Sequence, residues 1–233
     1  MSLKLYDLVG ADDRRFSPYC WRVRMALAHK GLAAELVPTC FTDKDKIAFS
    51  KQDKVPVLMD GETVVSDSFE IACYLEDAYP DRPSLFGGAL GRAEARFINH
   101  WVITTVHGPL LRMVIKDILD HLDPKDRAYF RESRTKRLGA PLEEIQAGRE
   151  ARLPEFRAGL APFRALLVEQ PYMCGEAPAF GDYILFGAFQ WARVISPFHL
   201  LERDDPVHAW RRRMLGLFDG LAEGATGYAE TAA

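Results

Sequence analysis

Four short clusters hold residue types that could do chemistry: Ser17-Pro18-Tyr19-Cys20, Lys54-Val55-Pro56, Asp67-Ser68 and a lone His107. A serine hydroxyl can donate one hydrogen bond to an anion while accepting others. Set just before a proline at a helix start, it also sits in the field of the helix N-terminus, which favours negative charge. Taken alone, Ser17 reads as an N-cap, and Cys20 as a small core residue. Val55-Pro56 fits an edge-strand proline and a cis peptide bond equally well. Asp67-Ser68 reads as a capping pair, whose helix start would also offer free N–H groups to a carboxylate. A lone histidine such as His107 on a helix is more often structural than catalytic.

The surrounding elements set where these groups stand. Leu3 to Leu8 reads as a short strand, and Ser17-Pro18 opens a helix that runs to about Lys30, closed by Gly31. Ala34 to Pro38 is a second strand, parallel to the first because a helix joins them. A polar stretch over 42–54, with Lys44, Lys46 and Lys51, leads to a strand over Val55 to Met59. Asp60-Gly61 signals a hairpin, with Thr63 to Val65 as the returning strand. Ser66-Asp67-Ser68 then caps a helix carrying Ile71, Cys73, Tyr74, Leu75 and Ala78. Tyr79-Pro80-Asp81-Arg82-Pro83 breaks the pattern as a linker. Beyond Gly88 the pattern is helical: Arg92 to about Leu119, Pro124 to about Gly148, Pro162 to Glu169, Asp182 to about Ile195, and Val207 to about Leu221. Trp101, Trp191 and Trp210 supply bulky apolar surface to this half.

Composition removes several classes of function. The 233 residues are 48% apolar and 27% charged, with net charge -3, which describes an ordinary globular protein with a real core. That balance does not point to a nucleic-acid partner, and Arg211-Arg212-Arg213 is too short and isolated to read as a phosphate patch. The run from Met1-Ser2 into Leu3 carries no signal-peptide pattern, and no window approaches the ~20 apolar residues of a membrane span. Cys20, Cys40, Cys73 and Cys174 are scattered without metal-type pairing. They fit free thiols in a reducing cytoplasm, and no metal is expected.

Ser17-Pro18-Tyr19-Cys20, Val55-Pro56-Val57-Leu58 and Asp67-Ser68-x-x-Ile71-x-x-Tyr74-Leu75 occur in the order and spacing of the glutathione transferases, which the chain resembles over essentially its whole length. Ser17 to Arg22, Tyr79 to Pro83 and Ile145 to Glu150 resemble the bacterial β-aryl-etherase-like branch, whose members include enzymes that cleave ether bonds in lignin fragments. The resemblance implies an α/β thioredoxin-like N-terminal domain (βαβ-ββα) over residues 1–80, a linker over 81–90, and an all-α C-terminal domain over 91–233. It implies glutathione as cosubstrate and a homodimer. It makes Ser17 the catalytic residue, hydrogen-bonded to the glutathione thiolate. A free thiol has a pKa near 8.5, and one charge-assisted hydrogen bond, worth roughly 1.5–3 kcal/mol, lowers that by about one to two units. Serine in place of the first cysteine of a Cys-x-x-Cys pair argues against disulfide exchange through Cys20.

The resemblance further implies a cis Val55-Pro56 bond, with Val55 backbone groups pairing to glutathione as an added strand would. Lys54 matches a position that contacts the peptide in other classes. Asp67 would meet the γ-glutamyl ammonium, directly or across a dimer, and Ser68 the carboxylate. Many relatives carry glutamate at Asp67, so the reach to the amine is shorter here. A second departure is Ala179-Phe180-Gly181-Asp182, where many transferases cap the buried helix with Ser or Thr; an alanine there forfeits about 1 kcal/mol unless another group substitutes. The second substrate, a small hydrophobic or aromatic electrophile, is expected between the domains against Phe16, Tyr19, Trp101, Thr105, Leu111 and Met113. The leading function is a glutathione transferase that can displace an aryl oxide. The alternatives are a glutathione-dependent isomerase or dehalogenase, and a non-catalytic ligand-binding relative.

Overall fold

A computed structural model describes residues 3–229. Met1, Ser2 and residues 230–233, which the sequence assigns to the strand run-in and the end of the helical half, lie outside the described residues. A four-stranded mixed sheet comes first, with strand order β2-β1-β3-β4. Strand β1 (Leu3–Leu8) pairs parallel with β2 (Ala34–Thr39) and antiparallel with β3 (Val57–Asp60), and β3 pairs antiparallel with β4 (Thr63–Ser66). Leu5 sits opposite Leu36 on one side and Leu58 on the other. Asp60 faces Thr63, so the hairpin loop is Gly61-Glu62, with Gly61 at φ +59°. That is one residue beyond the pair expected, and the positive φ explains why glycine stands there.

Two helices serve the sheet: α1 (Pro18–His29) and α2 (Ser68–Ala78). Helix α1 buries Cys20, Trp21, Val23, Met25, Ala26 and Leu27. The N-terminal part is therefore a thioredoxin-like domain, and the second domain is helical. The helices of that second domain are α3 (Ala89–Trp101), α4 (Gly108–Val114), α5 (Asp117–Asp120), α6 (Pro124–Leu138), α7 (Leu142–Gln146), α8 (Leu153–Gly159), α9 (Ala161–Glu169), α10 (Phe180–Ile195) and α11 (Pro206–Gly220). In α10 every residue except Arg193 is buried. It is the central strut of the molecule and packs directly on α1.

Two of the expected helices are divided, each for a local reason, and α8 falls outside every expected range. The single helix expected over Pro124 to Gly148 stops at Leu138. Gly139 takes φ +79°, and Pro141 lacks an N–H and disfavours helix in the residue before it. The helix expected from Arg92 to Leu119 is interrupted by a π-helical stretch, Val102–His107, between α3 and α4. Its i→i+5 bonding rotates the faces of the helix on either side.

Gly187 of α10 fixes how the two halves meet. A Cβ there would stand 2.3 Å from the Pro18 carbonyl oxygen, so only glycine lets the start of α1 approach so closely. The start of α10 is completed without a capping side chain. The Ala179 N–H donates to Asp182 Oδ2 at 3.2 Å, and the Phe180 N–H donates to the Leu85 carbonyl at 2.9 Å. Asp182 also accepts from Met173 N (2.7 Å), Cys174 N (3.3 Å) and Trp210 Nε1 (2.9 Å). Alanine thus offers the first turn no side-chain acceptor, while the Asp182 carboxylate ties the segment ahead of α10 to the helix through four donors.

Candidate functional site

A cavity of about 660 Å³ opens between the sheet domain and the helical domain. Ser17, at its wall, is the N-cap of α1 and only 4% exposed. Its Oγ accepts from the Cys20 N–H at 3.2 Å, which takes up one lone pair and leaves the hydroxyl proton to donate. The Cys20 thiol is within reach, but it is a weak acceptor. Burial pushes that thiol well above its usual value, with Asp7 adding repulsion, so Cys20 stays protonated. It is fully buried.

Lys54 and Val55 line the same cavity, and the Val55-Pro56 peptide bond is cis. Asp67 caps α2, accepting from Phe69 N (2.8 Å) and Glu70 N (3.3 Å). It takes φ +72°, ψ 133°, an uncommon conformation for a residue with a side chain and one that tends to cluster at functional sites. Ser68, 1% exposed, has no partner for its Oγ. Asp67 and Ser68 stand outside the cavity wall itself.

Of the six residues expected to face the second substrate, Phe16, Tyr19 and Leu111 line the cavity. Trp101, Thr105 and Met113 do not. The Thr105 methyl instead packs toward Gly159, where a Cβ would come within 2.9 Å of it, and Met113 is wholly buried. Ile103, His107, Leu111 and Ile115, spaced by four, line the cavity in place of Trp101 and Thr105, and the first two lie in the π-helical stretch. That spacing of four was the signal available in the sequence. Trp191 of α10 completes this wall, and nothing in its local sequence sets it apart from core.

Two buried groups at the domain junction carry unusual electrostatics. The His107 ring meets Tyr19 (centroids 5.4 Å apart) and Trp191 (6.0 Å), and its Nε2 has no partner. Burial and then the charge of Arg22 lower it to about 3, so it is a neutral imidazole at pH 7. Arg22, 1% exposed, donates from Nη1 to Asn99 Oδ1 at 2.7 Å and stands over the Tyr19 ring at 4.7 Å, while Nε and Nη2 have no partner. Burial lowers it to about 10, against the pull of Tyr19 and Asp67, which leaves it charged. Arg22 therefore joins the two helix starts electrically, a role its place in the Ser17 to Arg22 run does not announce.

Known proteins agree with this architecture. Residues 13–83 match the glutathione S-transferase N-terminal domain family, and residues 93–210 match the C-terminal domain family. The chain belongs to the glutathione S-transferases. Within that family it is 31% identical to a zeta-class glutathione S-transferase of Euphorbia esula over 179 residues, 72% of this chain and 73% of the relative. A crystal structure of a glutathione transferase from Phanerochaete chrysosporium superposes with a TM-score of 0.77 at 28% identity, covering 94% of this chain and 93% of that one. A glutathione S-transferase of Ceriporiopsis subvermispora, solved in complex with glutathione, shares the fold at TM-score 0.82 and 22% identity, over 94% and 97% of the two chains. In this glutathione S-transferase the two matched segments meet at the cavity: Ser17 and Val55 come from the first, His107 and Trp191 from the second. Among the described residues no cluster of His, Cys, Asp and Glu could hold a metal ion, and no helix is long and apolar enough to cross a membrane.

Proposed function

We propose that the chain binds glutathione beside Ser17 and transfers it to an electrophile held in the cavity. The observation that carries this is the Ser17 hydroxyl: its oxygen is anchored by the Cys20 N–H, and its proton is left to donate at a cavity wall. A thiolate would take that hydrogen bond, and the N-terminus of α1 adds a favourable field. The donor set fits the rest of the peptide. Val55 offers backbone groups to the cysteinyl part, Lys54 a charge at the same wall, and the unpartnered Ser68 hydroxyl and the α2 start suit the γ-glutamyl carboxylate. Asp67, at the same helix start, is the group for the ammonium.

In the reaction the thiolate sulfur attacks carbon, a C–S bond forms, and the bond to the leaving group breaks with its electron pair leaving on that group. An aryl oxide is the leaving group in the etherase-type case. Residues 1–80 would serve the peptide and 91–233 the electrophile, with 81–90 joining them. Leu90 and Phe97, 75% and 74% exposed and two turns apart on α3, are the surface a second copy would cover in a homodimer.

The test is Ser17→Ala, assayed with glutathione and a panel of electrophiles that includes a β-aryl ether. The kcat/KM pH profile should move up by about one to two pH units, while glutathione affinity changes little. Coincident profiles for the two proteins would sink the serine assignment.

A further inference from the structure

The cavity has a feature that a purely hydrophobic substrate would not use. Its far wall carries Arg134 and Arg137, one turn apart on α6, both lining the cavity. Neither guanidinium has a carboxylate within ion-pair distance among the described residues. Arg134 instead donates to Ser133 Oγ at 3.0 Å and lies over Phe41 and Phe130, 5.0 Å and 4.7 Å from the ring centroids. Burial and the neighbouring Arg137 work against its charge, and a hydrogen bond with the uncharged Tyr129 phenol supports it.

These arginines line the same cavity as the reacting end. Phe16, next to Ser17, meets Phe41 (centroids 6.0 Å), and Phe41 meets Phe130 (5.3 Å) under Arg134. An aromatic strip thus runs from the serine to the guanidinium pair. The lining carboxylates do not cancel that charge. Asp43 is taken up by Lys125 (2.6 Å), Lys46 (2.9 Å) and the Cys40 N–H (3.0 Å). That leaves Asp53 against Lys44, Lys54 and the two arginines, with His107 neutral. A half-buried guanidinium without a counter-charge is an anion site in search of its anion, and its planar fork suits a carboxylate.

We propose that the electrophile is an aromatic acid, its ring along the Phe16–Phe41–Phe130 strip and its carboxylate held by Arg134 and Arg137. This rests on the glutathione reading above and names the substrate class for the same site. The reacting carbon then lies at the Ser17 end, and the conjugate leaves with its carboxylate still at α6.

Equilibrium binding of two glutathione conjugates tests this without depending on turnover: S-(4-carboxybenzyl)glutathione and its uncharged isostere S-(4-carbamoylbenzyl)glutathione, titrated calorimetrically beside free glutathione. The carboxylate should bind the wild-type protein at least roughly tenfold more tightly than the amide. R134Q/R137Q should erase that difference and keep glutathione affinity within about twofold. R137Q alone, on an exposed side chain, should remove part of it and keeps the test readable if the double variant unfolds. Equal binding of the two conjugates to wild type, with glutathione bound normally, overturns the acid proposal alone. Loss of glutathione affinity in R137Q or in a folded R134Q/R137Q also overturns it, by giving the arginines to the peptide's own glycyl carboxylate. Failure of wild type to bind glutathione or either conjugate overturns the glutathione reading and this proposal with it.

Discussion

Helices α1 and α10 both begin beside buried polar groups, and the two starts are completed in opposite ways. At α10 the N-cap is Ala179, which has nothing to offer, and Asp182 accepts four hydrogen bonds from Met173, Cys174, Ala179 and Trp210. No bonding capacity is left over for a ligand, although burial pushes that carboxyl up. At α1 the cap is Ser17, whose oxygen serves Cys20 while its proton remains available at the cavity. A fully used polar cluster holds the fold, whereas a partly used one facing open space is equipped to hold something else. Gly187 links the two, because α10 carries the glycine against which Pro18 of α1 is seated.

The sharpest way to break the comparison is Asp182→Ala. It leaves four donors unpaired around a buried site, and we expect a loss of about 3–5 kcal/mol. That is a fall in Tm of roughly 6–20 degrees for a chain of this size. An unchanged melt would show that the cluster is dispensable. Gly187→Ala drives a methyl against the Pro18 carbonyl; about 1–3 kcal/mol should be lost in denaturant titration. Turnover should fall further, up to about a hundredfold, since Ser17 must shift with Pro18.

The neutral His107 gives a pH test of the same junction. Its folded value of about 3 lies below the ordinary 6.5. Between those values the unfolded chain binds more protons, so stability declines as pH drops below 6.5. The slope approaches about 1.4 kcal/mol per pH unit once His107 is charged in the unfolded chain. Relative to wild type, His107→Phe should lose that slope in urea titrations between pH 6.5 and 4.5. Identical slopes would remove His107 from the account. The smallest effect compares the two caps themselves. Ala179→Ser supplies the missing cap and should add about 0.5–1 kcal/mol, whereas Ser17→Ala should cost about 1 kcal/mol of stability. A much larger stability loss at Ser17 would make it a structural cluster like that of Asp182.

The regular part of the fold was readable because its signals are local. Ser17-Pro18 starts α1, Asp67 caps α2, and the glycine after Asp60 permits the hairpin; each acts within a few residues. The break at Gly139 and Pro141 is equally local in its cause, although the sequence reading carried one helix across it. The cavity wall was less legible. Trp101, Thr105 and Met113, expected between the domains, lie off the wall that Ile103, His107, Leu111 and Ile115 form, and the π-helical stretch at Val102–His107 carries no sequence mark of its own.

By itself, then, the sequence determined the order of strands and helices over residues 3–78, the starts of α1 and α2, and the clusters at Ser17, Val55-Pro56 and Asp67-Ser68. These depend on capping, turn and proline chemistry between near neighbours. Only the tertiary structure decided that His107 is neutral, that Arg22 lies buried with two unpartnered nitrogens, and that Arg134 and Arg137 share a cavity with Ser17. Desolvation and charge pairing are set by the groups that surround a side chain in space, and those surroundings come from segments distant from one another in the chain.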